Sequence, residues 1–226
     1  MLRPVASARP SITRRASLST RAYEELRERV RRGLISPDER LVDVDIASQL
    51  EVSRMPVREA LLQLVAEGHL VSTARGYRIP TLSRSDVTEI FEVRRLLEPR
   101  AAALAARDLT ADAARRLGDA LAQAHAAAAN KDFAGLFHAN LDFREAWLGA
   151  VRNTRLSATI SRFVDHVQIV RFGTLHDPAT QQVVVDMLTE LHDAMVRHDS
   201  VMAHDLMARF IDAAERSFAT HAARED

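Results

Sequence analysis

Apolar side chains recur every three to four positions at Tyr23, Leu26, Val30 and Leu34, which predicts an amphipathic helix running into the turn signal Ser36-Pro37-Asp38. A short second helix carries Val44, Ile46, Ala47 and Leu50, with Asp43 placed to cap it, and Glu51-Val52 turns the chain into a third. In that third helix Val57, Ala60, Leu61, Leu64 and Val65 share one face. Ser53 stands at its N-cap, Pro56 falls in the first turn where a missing N–H costs nothing, and Gly68 ends it. The period then changes. Leu70 to Thr73 and Tyr77 to Ile79 read as short strands around Ala74-Arg75-Gly76, where Gly76 supplies a turn conformation closed to other residues.

Beyond Pro80-Thr81-Leu82 the pattern is helical throughout. Ser83 with Asp86 forms a capping box, and six stretches follow: Arg84 to Arg107, Thr110 to Ala129, Asp132 to Val151, Thr154 to Phe172, Pro178 to His198 and Ser200 to His221. Thr110 and Asp132 read as caps, Asn130 and Asn153 as stops, Asp177-Pro178 as a cap with a first-turn proline, and Asp199-Ser200 as a tight junction. The predicted fold class is mainly α. An N-terminal winged helix-turn-helix with a small β-hairpin wing precedes a C-terminal all-α antiparallel bundle of six to seven helices. The expected divisions are a disordered basic arm over 1–19, the winged helix-turn-helix over 20–80, a linker over 81–85 and the helical domain over 86–222.

Arg54 and Arg58, four apart, project together from the exposed face of the third helix, where guanidinium forks reach phosphates or the O6/N7 edge of guanine. Two such arginines alone would be an ordinary solvated face. Helix, turn, capped helix and a hairpin with Arg75 and Arg78 near its tip, in this order, make them a DNA reader. Charge agrees. The whole chain of 226 residues balances 31 basic against 31 acidic side chains, yet residues 1–80 hold 14 Arg against 10 acids, leaving 17 against 21 beyond. With no cysteine there is no disulfide framework, thiol nucleophile or thiolate metal site, and no apolar run approaches a membrane span. Arg3, Arg9, Arg14 and Arg15 with no acid superficially resemble an organellar targeting peptide, but are read as an arm able to add phosphate contacts.

Tyr23 to Leu34, Pro37 to Leu41, Asp45 to Leu50, Val52 to Leu61 and Glu67 to Gly76 resemble the winged-helix domain of the GntR family of bacterial transcription regulators. By that resemblance Arg54 and Arg58 contact bases and phosphates, Ser53 contacts a phosphate, and Gly76 is the wing tip in the minor groove. Met55 stands where a small hydroxyl residue is usual, which removes one phosphate hydrogen bond.

Phe91 to Ala102 resembles the opening helix of the FCD domain, the effector-binding half of the FadR subfamily, and Leu141 to Leu156 its third helical segment. Many FCD domains hold a divalent metal with an Asp or Asn, a His one turn later, and two further His on the last two helices. In register those places fall to Asn140, Arg144, Leu188 and Phe210. Arginine cannot ligate a metal, and Leu188 and Phe210 lie on apolar stripes, so no metal cofactor is expected. His138 and His192 would serve as displaced ligands only out of register, and His198 and His204 read as solvated.

Arg144 is instead expected to be the positive centre of the effector pocket, with Asn140 and Arg94 as further effector-binding residues. In the alternative, Arg144 pairs internally with Glu98 or Asp186, leaving a ligand-free bundle used for dimerisation. The resemblance implies a cytoplasmic homodimer, a repressor more often than an activator, that binds a palindromic double-stranded DNA operator and responds to a small organic acid. An acyl-CoA effector lined by Phe137, Phe143, Trp147 and Phe163 is the runner-up. An enzyme lacks support: the chain offers no cysteine, nucleophile–base pairing or intact metal set.

Overall fold

Two separate hydrophobic clusters organise the chain, one built between Ala22 and Ile79 and one between Val87 and Ile211. The structure is a computed structural model that describes residues 17–36, 38–81, 83–161 and 178–225, with no account of the side chains of 178 and 221–225. Asp177, Phe163 and His166 lie outside the described residues.

The first cluster is held by three helices and a hairpin. Helix α1 (Leu18–Arg31) opens on Ser17, whose hydroxyl accepts from the Thr20 amide at 3.1 Å, inside the stretch 1–19 expected as an arm. It buries Ala22, Leu26 and Val30 and ends at Arg32, followed by Gly33 at φ 64°. The helix therefore stops short of the Ser36-Pro37-Asp38 signal, and Leu34, expected on the packed face, is 61% exposed while Ile35 turns inward.

Helix α2 (Asp43–Gln49) starts from Val42 and has no side-chain cap. Asp43 is its first residue instead of its cap, where its charge still favours the helix N-terminus. Ile46 and Ala47 face the core, and Val44, off that face, is 46% exposed. Helix α3 (Arg54–Ala66) buries Val57, Ala60, Leu61 and Leu64. Ser53 has the extended N-cap backbone, φ −72° and ψ 163°, but its hydroxyl makes no cap bond.

Strands β1 (Val71–Thr73) and β2 (Gly76–Arg78) pair antiparallel, Thr73 opposite Gly76. Ala74-Arg75 is thus the tip, and Gly76 opens the return strand instead of forming the tip itself. Its φ of 138° suits glycine, and a Cβ there would collide with the Leu41 carbonyl oxygen. That close approach exists because Leu41 bridges to Tyr77, with N–H to carbonyl bonds of 2.8 and 2.9 Å.

The second cluster is all helical. It comprises α4 (Arg84–Arg107), α5 (Ala111–Ala129), α6 (Phe133–Gly149), α7 (helical over 154–161), α8 (Pro178–Val196) and α9 (Ser200–Glu225). Ser83 and Asp86 form the capping box, and the side chains of Thr110, Asp132 and Asp199 cap α5, α6 and α9. Asn153 corrects its expected role as a stop. Its Oδ1 accepts from the Leu156 amide at 3.1 Å, so it caps α7, while α6 has already ended.

Alanines let α5 lie close on α6, and α4 runs along α9, where Arg95 pairs with Asp212 and Glu215. Phe91, Phe143, Trp147, Leu117 and Leu136 fill the centre. Leu188 is buried among them and Phe210 is partly buried against the same core. Among the described residues no helix is long and apolar enough to cross a membrane.

Candidate nucleic-acid interface and ligand site

The N-terminal turns of α2 and α3 form one exposed polar surface. Both oxygens of the Asp43 carboxylate accept from Arg54 Nη2, at 3.2 and 3.1 Å, which ties the start of α3 to the start of α2 across the turn. Asp43 is largely covered and Arg54 is 63% exposed, so the acid anchors one nitrogen while the rest of the guanidinium faces water. One turn along, Arg58 is exposed and has no ion-pair or hydrogen-bond partner among the described residues. Ser53, with its hydroxyl unused by the cap, lies beside them.

Arg75 is exposed at the hairpin tip and Arg78 along β2. Thr73 stiffens the tip, its hydroxyl donating to the Gly76 carbonyl at 3.0 Å and accepting from the Arg75 amide at 3.3 Å. Behind this surface α1 is locked to the end of α3 by the Tyr23 hydroxyl, which donates to Glu67 at 2.5 Å. The surface therefore presents guanidiniums, a hydroxyl and backbone N–H groups at a helix start, the groups that bind phosphates and base edges.

Inside the bundle Arg94, Glu98, Asn140 and Arg144 are buried polar side chains. Arg94 and Glu98 are one turn apart on α4, and Arg94 Nε donates to Glu98 Oε1 at 2.9 Å. From α6, Arg144 Nη1 and Nη2 donate to Glu98 Oε2 and Oε1, each at 2.9 Å. Asn140 precedes Arg144 by one turn. Arg144 also lies over the Trp147 ring, 5.5 Å to the centroid, and Arg94 over Phe91, 4.9 Å.

Glu98 thus serves both arginines, so Arg144 makes the internal pair with Glu98 that is the alternative to an effector role. Burial pushes the Glu98 carboxyl up, but the charges of Arg144 and Arg94 and their hydrogen bonds outweigh it and hold the group far below the usual carboxylate range. Burial pulls Arg94 down, Glu98 opposing and Arg144 adding to the effect. Among the described residues two guanidiniums against one carboxylate leave the cluster with a surplus positive charge, and Arg144 Nε is buried without a hydrogen-bond partner there. At two of the positions where the resemblance would place metal ligands stand Arg144, a cation bonded to Glu98, and Leu188, an apolar core side chain.

Arg144 also faces the other half of the chain. A cleft of about 330 Å3 between α1 and α6 sets Arg27, Arg31 and Arg144 among Glu24, Glu28 and Glu145. Arg31 of α1 pairs with Glu145 of α6. Arg32 is raised above its ordinary value by its hydrogen bond to Glu28, with burial opposing and the charges of Glu28 and Asp142 of α6 assisting. No sequence signal pointed to these contacts, which join residues far apart in the chain.

Comparison with known proteins places two family models on the chain. The model described as bacterial regulatory proteins, gntR family, matches residues 18–76, and the FCD domain matches residues 89–213. An HTH-type transcriptional regulator, McbR of Escherichia coli (strain K12), is 33% identical over 131 residues, 58% of this chain and 59% of the relative. The gluconate operon transcriptional repressor of Bacillus subtilis (strain 168) is 39% identical over 84 residues, 37% of this chain and 35% of the relative. The matches therefore span less than two thirds of these curated relatives. In structure, E. coli McbR/YncC superposes with a TM-score of 0.79 at 25% identity, covering 94% of this chain and 100% of that one.

Proposed function

Because this chain belongs to the GntR family of bacterial transcription regulators, in its FCD-containing branch, we propose that it is a homodimeric repressor reading a palindromic operator and controlled by a small organic acid. Residues 20–80 read DNA, residues 86–222 dimerise and sense the acid in the cytoplasm, and 81–85 join them. Two-fold symmetry of the dimer matches the dyad of the operator. The gluconate operon repressor among the relatives supports repression.

The observation that carries the effector reading is the buried surplus charge of Arg94, Glu98 and Arg144. An unbalanced cation in a low-dielectric interior is costly, and a small carboxylate beside Arg144 would offset that cost, with Asn140 as a neutral hydrogen-bonding neighbour. No metal is required, since the guanidinium already supplies the positive centre. Phe137, Phe143 and Trp147 are buried among core side chains, so they lend no support to an acyl-CoA pocket.

Coupling to DNA follows from α6, which holds Arg144 on one side and meets α1 through Glu145 on another. An acid that draws Arg144 away from Glu98 moves the helix on which the reading head rests, and DNA affinity changes by the difference in its fit to the two states. The test is a thermal-shift screen of small mono- and dicarboxylates against the purified chain and Arg144→Met. Stabilisation of the wild type alone, by an acid that also releases DNA in a mobility-shift assay, is the expected result. Equal response of both proteins overturns the role of Arg144.

A further inference from the structure

Val44 and Met55 are large apolar side chains exposed to water at the starts of α2 and α3, at 46% and 64%. Neither contributes to the core. Each is the second residue of its helix and follows one partner of the Asp43–Arg54 pair, so the ion pair that joins the two helix starts also holds Val44 and Met55 on either side of it. Around them stand Arg54, Arg58 and Ser53, groups suited to phosphates and polar base edges.

An apolar protein partner would have to cover Arg58 as well, a cation with no ion-pair partner among the described residues, at a desolvation cost it could not balance. Duplex DNA does not impose that cost. Its major groove offers one apolar feature among its polar edges, the C5 methyl group of thymine.

We propose that Met55 and Val44 read thymine methyl groups in the operator half-site, beside the base that Arg54 contacts. This rests on the DNA-reading assignment made above and deepens it, giving the head an apolar element of specificity in place of a phosphate hydrogen bond at position 55. Burying one methyl-sized group is worth about four-fold in affinity per contact. Asp43 acts as a positioning residue, keeping Arg54 from sweeping over the methyl sites.

The experiment is in vitro selection of duplexes from a random library with the full-length protein, followed by single replacement of each thymine in the enriched site by deoxyuridine, which removes the methyl group alone. The wild type is expected to lose about four-fold at one or two thymines per half-site. Met55→Ala is expected to bind thymine and uracil forms equally at one of these, and Val44→Ala at the other. Both substitutions are at exposed positions and leave the core intact. An enriched site insensitive to every uracil replacement overturns the proposal while leaving the DNA-reading assignment standing, as does sensitivity that persists in both variants. A library that yields no enriched sequence overturns both.

Discussion

Glu98 and Arg144 meet fork to fork, both carboxylate oxygens against both terminal guanidinium nitrogens at 2.9 Å, with both side chains buried. Arg94 adds a second cation to the same carboxylate. Removing the acid and removing one cation should therefore have unequal costs. Glu98→Gln leaves two buried guanidiniums facing each other and is expected to cost roughly 3–5 kcal/mol of stability, whereas Arg144→Met leaves a neutral Arg94–Glu98 pair and costs at most about 1 kcal/mol. Urea denaturation of the two variants measures the difference. Equal costs would mean that the cluster does not behave as a shared ion pair.

The same carboxylate sets an acid limit. The folded protein holds Glu98 far below its ordinary value of 4.5, so between the two values the unfolded chain binds the extra proton. The stabilisation is complete above the unfolded value and is lost as pH falls through the folded one. Stability measured from pH 7 down to pH 3 should fall more steeply in the wild type than in Glu98→Gln. Parallel curves would contradict this.

On the reading surface, Arg58→Ala is expected to lose about 1–3 kcal/mol of specific binding, and its preference for the selected site over scrambled DNA should shrink accordingly. Asp43→Ala should weaken specific binding less, by releasing Arg54 without removing it. Competition mobility shifts report both. Unchanged discrimination by Arg58→Ala would remove Arg58 from the reading set.

At the hairpin, Gly76→Ala drives a Cβ against the Leu41 carbonyl oxygen at a backbone angle that L residues rarely adopt. The expected cost is about 1–3 kcal/mol, together with loss of the Leu41–Tyr77 bridge and weaker DNA binding. Amide exchange at Leu41 and Tyr77 should accelerate in the variant. Unaltered exchange would show that the wing accommodates the methyl group.

Elemental mass spectrometry of chelator-free protein is expected to find no stoichiometric metal, since by the resemblance two of the four ligand places fall to Arg144 and Leu188, which cannot ligate one. About one Zn, Ni or Mn per chain would mean that other residues form a site.

What could be read in advance was local. Ser83 and Asp86 announce the start of α4 because both capping partners lie within one turn, and the helix runs over Arg84–Arg107 as its pattern requires. Which of Val44, Ile46 and Ala47 faces inward is not legible in advance, because a helix of seven residues is too short for periodicity to decide. In sequence a helix-start acid such as Asp43 reads the same whether it bonds the backbone as a cap or a neighbouring arginine. The Glu98–Arg144 pair spans 46 residues and two helices, so sequence could offer Glu98 as one acid among several. Gly76 was legible as a special conformation, but its contact with Leu41 belongs to the tertiary fold.

Helix α6 has one more consequence. Its Arg144 lies in the buried cluster and its Glu145, the next residue, grips Arg31 of α1. In the proposed mechanism, news of an occupied pocket need pass only from one residue to the next along α6, since Arg144 and Glu145 both line the cleft beside α1. No relay of intermediate side chains is needed, and the message arrives at the reading head as a displacement of its own seat.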